Sequence, residues 1–73
     1  MASIEITSEI TGNVWKVEVS VGDTVSEGQI LVILESMKME IPIMSTEDGI
    51  VSELHVQEGD VIQEGEVVAV ISA

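Results

Sequence analysis

Residues 21–34 read VGDTVSEGQILVIL, and residues 58–71 read EGDVIQEGEVVAVI. Laid over one another at an offset of 37, Gly22-Asp23 falls on Gly59-Asp60 and Glu27-Gly28 falls on Glu64-Gly65. A continuous apolar run closes each stretch. The register extends upstream without a gap: Gly12 meets Gly49, Ile4 and Ile6 meet Ile41 and Ile43, and Val14 and Val19 meet Val51 and Val56. A single match of this kind would be chance, but the set points to two structural halves related by a pseudo-two-fold.

Each half reads as four strand pieces. Ile4 and Ile6 alternate with polar residues, as do Ile41 and Ile43, which is the period of a half-buried strand. A turn is expected at Gly12 and at Gly49, followed by strands over 14–21 and 51–56. In both of these the apolar phase slips: Val14 is out of step with Val17 and Val19, and Val51 with Leu54 and Val56. A slip repeated in both halves suggests a β-bulge, or a bend where the strand changes sheet. The Gly-Asp and Glu-Gly pairs mark tight turns, with the short pieces TVS (24–26) and VIQ (61–63) between them. The runs ILVIL (30–34) and VVAVI (67–71) suit strands buried on both flanks. Pro42 lacks a ladder donor, so its strand lies at an edge or Pro42 lies near the strand start. No segment carries a helical period. The expected fold is all-β, a flattened barrel or sandwich of two four-stranded antiparallel sheets with closed-off edges.

Length bounds the chain to one domain, residues 1–73. A domain this small buries only about 60% of the surface its unfolded chain exposes. With no Cys and one His, neither a disulfide nor a thiolate zinc site is available to staple it, so aliphatic packing must hold it together. The formal charge of −12 argues against nucleic acid and anionic membranes as partners, because both select basic surfaces. No apolar run reaches the roughly 18 residues of a membrane span, and no signal peptide is visible, so a cytoplasmic protein is expected.

The stretch LESMKMEIP, residues 34–42, holds one of only two cationic side chains in the chain. The repeat places it. Ser36 aligns with Ala73 and position 38 with Met1, so the turn carrying Lys38 is the pseudo-symmetry mate of the gap between the termini. Lys38 then tips a hairpin joining the strand Ile30–Leu34 to one that starts near Ile41, at the end of the domain away from the termini. Such a hairpin favours turn formers of the Asn-Gly type. Met-Lys-Met is poor turn chemistry, and a local rule broken without visible gain points to function. The bland alternative is that Met37 and Met39 tuck inward as adaptable fillers while Lys38 is merely solvated.

ESMKME, set in a two-fold repeat with Gly-Asp turns, resembles the biotin/lipoyl attachment domains, and most of all the small standalone biotin attachment proteins. The resemblance covers the whole chain. It implies that Lys38 is biotinylated on its ε-amine by a biotin protein ligase acting through biotinyl-adenylate. It makes Met37 and Met39 the recognised flanks and Glu35 the upstream acid the ligase reads. It also implies that biotin, once attached, carries carboxylate between the biotin carboxylase and carboxyltransferase components of a biotin-dependent carboxylase. Lipoyl domains share the fold but usually carry Asp before the lysine and a small residue after it. Met37 and Met39 at those positions favour biotin, with lipoate the alternative. Some carboxyl carriers also have a protruding thumb in the first half, for which the gapless repeat leaves no room.

A lysine attacks an acyl donor only as the free amine, and an ordinary lysine is almost wholly protonated at neutral pH. No buried pocket is evident for Lys38, so activation must come from another protein, and the chain reads as carrier and substrate rather than enzyme. Besides a lipoyl carrier, an unmodified β interaction module stays open. His55, at an outward position opposite Glu18 in the repeat, reads as a surface histidine. Trp15, at the phase slip, reads as a partly buried cover over the bend. Lys16 lacks both the methionine flanks and the tip position.

Overall fold

A computed structural model describes residues 2–73. The described residues form eight strands and no helix: β1 (Ser3–Thr7), β2 (Gly12–Val17), β3 (Thr24–Val25), β4 (Ile30–Ser36), β5 (Met39–Met44), β6 (Gly49–Leu54), β7 (Val61–Ile62) and β8 (Val67–Ser72). They make two four-stranded sheets, ordered β1-β8-β6-β3 and β5-β4-β2-β7, with every pair antiparallel. Advancing each strand by four converts one order into the other, so the sequence offset is also a two-fold relation of the structure.

The two halves are clasped together by backbone hydrogen bonds that obey the same offset. The amide of Val14 donates to the carbonyl of Asp60 and the amide of Gly59 donates back to Val14; the mates are Val51 to Asp23 and Gly22 to Val51, all within 2.7–2.9 Å. Each Gly-Asp turn thus closes on the opposite half. The four turn glycines have φ of +96° at Gly22, +85° at Gly28, +95° at Gly59 and +89° at Gly65. This is the left-handed region that L side chains enter only at a cost.

The phase slips are bulges. The β2–β4 register shifts between Val14 and Lys16, and the β6–β8 register shifts between Val51 and Glu53, leaving Trp15 and Ser52 as the extra residues. Neither strand changes sheet. Trp15 is half exposed at its bulge. The ladders run over 12–17 and 49–54 rather than 14–21 and 51–56, because the chain leaves the sheet after Val17 and Leu54 to reach the Gly-Asp turns, while Val19 and Val56 still plug the core.

Gly12 and Gly49 are not turn residues. Each opens a strand, and each is glycine for space. A Cβ on Gly12 would stand 2.9 Å from the carbonyl oxygen of Glu35, and one on Gly49 would collide with the carbonyl oxygen of Ser72. Two of the four interior strands, β4 and β8, supply the fully buried Leu31, Val32, Leu34, Val68 and Ile71. Burying each aliphatic side chain contributes about 1.5–3 kcal/mol, and among the described residues no metal-binding cluster supplements it. Pro42 lies in β5, an edge strand, the position in a sheet where a residue without an amide donor is tolerated.

Candidate functional site

The hairpin that carries Lys38 is tighter than its sequence suggests. β4 continues to Ser36 and β5 begins at Met39, so Glu35 pairs with Glu40 and Ser36 with Met39. Only Met37 and Lys38 remain in the turn, with φ of 52° and 65°. Positive φ at both central residues is the signature of a type I′ turn, whose twist matches the flanking strands and which ordinarily demands Asn-Gly. Met37 and Lys38 are the only non-glycine residues with positive φ among the described residues. Each conformation costs about 1–2 kcal/mol in an L residue. Strain of this kind, held in place by a well-formed ladder, concentrates at functional sites.

The methionines do not tuck inward. Met37 is 91% exposed and Met39 62%, which overturns the filler alternative. A two-residue turn has no interior, and Met39 sits on the outermost ladder pair, beyond the reach of the core. Lys38 is exposed as well. Among the described residues Lys16 pairs with Glu18 at 3.7 Å and the His55 ring nitrogen Nε2 lies 2.8 Å from a Glu53 carboxylate oxygen, and Lys38 belongs to neither contact. Glu35 and Glu40 stand directly opposite one another one ladder step behind the turn, a like-charge pair that weakens the hairpin slightly.

Ser36 and Met39 have a symmetry mate that the chain does not bridge. At the offset of 37 they correspond to Ala73 and Ala2, whose amides and carbonyls exchange two hydrogen bonds of 2.9 and 3.2 Å. Contacts then fix where the two ends lie. Glu35, at the base of the tip, rests on Gly12. Just before Gly12, Thr11 and Ser8 bond to Glu64, Gly65 and Glu66. β8 starts immediately after and runs from Val67 to Ser72, where it reaches the termini. The Lys38 turn and the Ala2–Ala73 pair therefore occupy opposite ends of a body 37 Å long and 18–19 Å across.

The structure does not bring Lys16 or His55 to the tip: Lys16 lies on β2, and the exposed His55 follows β6 in the other sheet. A groove between the edge strands β1 and β5, floored by Ile6 and Ile43, excludes Met37, Lys38 and Met39. Lys38 is thus an amine held out from the body rather than one enclosed by it. Sequence reasoning missed Gly12 as the support under Glu35, and the only signal for it was its pairing with Gly49 in the repeat.

Comparison with known proteins fits this arrangement. The biotin/lipoyl family, described as "Biotin-requiring enzyme", matches residues 2–71. The biotin/lipoyl attachment protein of Bacillus subtilis is 52% identical over 46 residues, which span 63% of this chain and 63% of that protein. The biotinylated protein TB7.3 homolog of Mycobacterium leprae is 52% identical over 48 residues, 66% of this chain and 68% of that protein. Among solved structures, the urea carboxylase of Kluyveromyces lactis superposes with a TM-score of 0.92 at 36% identity, covering 99% of this chain and 6% of that one. The chain belongs to the biotin/lipoyl attachment family, whose small members are carriers rather than catalysts in themselves.

Proposed function

We propose that the chain is a biotin carrier domain spanning residues 1–73, that Lys38 is its single attachment site, and that Met37, Met39 and Glu35 are the features a biotin protein ligase reads. The observation that carries this reading is the turn: Lys38 is exposed at the apex of a strained two-residue hairpin, flanked by two exposed methionines. Strain and exposed apolar side chains are both unfavourable for the isolated domain, and both make sense if another protein's active site receives them. The residues fit biotin: an outward amine on a rigid stalk suits amide linkage, and the fit needs no pocket in this chain.

In the acylation step, the Lys38 Nζ lone pair attacks the acyl carbon of the biotinyl-adenylate. The amide bond forms, the bond to AMP breaks, and AMP leaves with the electron pair while the amine gives up a proton. The ligase supplies activation, and this chain supplies position. Attached biotin provides carboxyl-group carriage. The domain contributes a high effective concentration of the tethered group near the biotin carboxylase and carboxyltransferase components. A cytoplasmic setting belongs to this reading, and no helix among the described residues is long and apolar enough to cross a membrane.

Co-expression with a biotin protein ligase and intact-mass measurement tests the proposal. One biotinyl increment is expected on the parent and none on Lys38→Arg, which keeps the charge but offers no acylable amine. Biotin on the Lys38→Arg variant would overturn the site. A lipoyl increment instead, on protein from its native host, would favour the lipoyl carrier.

A further inference from the structure

The pseudo-two-fold provides an internal control for reading the surface. On the outward side of the β5-β4-β2 sheet, ladder pairing sets Met44 beside Ile30, and sets Pro42, Ile33 and Lys16 in a row. Met44 is 47% exposed, Ile30 38%, and Trp15, next to Lys16 at the bulge, 50%. The matching positions of the other sheet hold Thr7 beside Val67, and Glu5, Val70 and Glu53 in a row. The backbones are equivalent, yet one face is apolar with a lysine at its margin and the other carries carboxylates. The fold does not require the apolar set, because its mates support the same ladder without it. Solvent-facing Met, Ile, Pro and Trp on adjoining positions mark an interaction surface.

The next row toward the tip on this face is Glu40, Glu35 and Asn13, and Lys38 follows two residues beyond Glu40. An apolar patch, a pair of opposed carboxylates and the attachment lysine therefore line up along one hairpin. A second copy of this chain is a poor occupant, since each copy carries a formal charge of −12 and the two would repel.

We infer that this outward face is the docking surface for the ligase that acylates Lys38, a partner presenting an apolar patch beside Arg or Lys side chains that meet Glu35 and Glu40. The inference rests on the biotin-carrier reading. The apolar face sets how tightly the ligase holds the domain, and the carboxylate pair sets its orientation and the salt sensitivity of the encounter.

Steady-state biotinylation of the full chain by a purified ligase tests it, with melting curves run beside every variant. Two variants alter the face independently: Met44→Thr with Ile30→Thr, which leaves the charge unchanged, and Pro42→Glu, which installs the residue the mate position already tolerates. Either should raise KM about tenfold with kcat unchanged, the pattern of lost uniform binding. The mate-face variant Thr7→Ala with Glu53→Gln should stay within about twofold of the parent. KM for the parent should rise with added salt. A face variant that is folded and within about twofold of the parent overturns the inference, as does an equal rise in the mate-face variant. Sedimentation showing a parent dimer that the face variants abolish would assign the surface to self-association and overturn it too. A parent that the ligase does not label at all would instead refute the carrier reading on which the inference rests.

Discussion

Gly12 lies against Glu35 so closely that the smallest side chain would stand 2.9 Å from the Glu35 carbonyl oxygen. The contact couples the start of β2 to the base of the hairpin that presents Lys38, and its mate couples Gly49 to Ser72 near the chain ends. Equivalent glycines thus support opposite ends of the molecule.

Gly12→Ala and Gly49→Ala should both destabilise, because backbone has to move to admit a Cβ. Overpacking of this kind costs about 1–3 kcal/mol, with Gly49→Ala toward the upper end, since its Cβ meets the Ile71 Cγ2 at 2.8 Å as well as the Ser72 carbonyl. Only Gly12→Ala should also slow biotinylation, by displacing Glu35. Melting curves and initial labelling rates, taken well below both transitions, check this. Equal slowing by the two variants would contradict the coupling.

Replacing the turn by its preferred chemistry should exchange function for stability. Met37→Asn with Lys38→Gly relieves two left-handed L residues and should stabilise by about 1–2 kcal/mol. At roughly 4–8 °C per kcal/mol for a domain of this size, the melting temperature should rise by at least several degrees. Labelling should vanish with the lysine. A melting temperature equal to or below the parent's would mean that the turn is not strained.

Gly59 has φ of +95° and no atom within 4 Å of a built Cβ, so any penalty there is conformational and not steric. Gly59→Val should lose about 1–2 kcal/mol or more, while Gly59→Asn, which tolerates the left-handed region, should lose less. Urea midpoints for the two variants rank them directly. Labelling of the folded fraction should be unaffected, since Gly59 contacts Val14 and not the tip.

The separation of Lys38 from the termini can be tested without altering the core. A folded partner fused after Ala73 or before Met1 should leave the ligase free to reach the tip along a body 37 Å long. Two glycines inserted between Met37 and Lys38 should slow labelling by tenfold or so, because they loosen the turn and part the lysine from its flank. Circular dichroism establishes that each protein is folded before rates are compared. A terminal fusion that slows labelling as much as the insertion would be incompatible with tip and termini at opposite ends.

Local signals in the chain were enough to determine much of this protein. Period-two alternation at Ile4 and Ile6 and at Ile41 and Ile43, the phase slips at Val14 and Val51, and the paired turn glycines lead to eight strands in two sheets with Lys38 on a hairpin. Each of these features reports backbone conformation or facing direction, and both are set by immediate neighbours. What lies across the ladder is not local, and only the tertiary structure decided it. Gly12 resembles Gly22 in the sequence, yet one is glycine because the Glu35 carbonyl leaves no room and the other because its φ is positive. The exposure of Met37 and Met39 follows from how far β4 and β5 pair, which depends on cross-strand hydrogen bonds reaching Ser36 and Met39. The divergence of the two sheet faces emerges only when Pro42, Ile33 and Lys16 are seen in one row, since residues distant in the chain become neighbours through strand pairing alone.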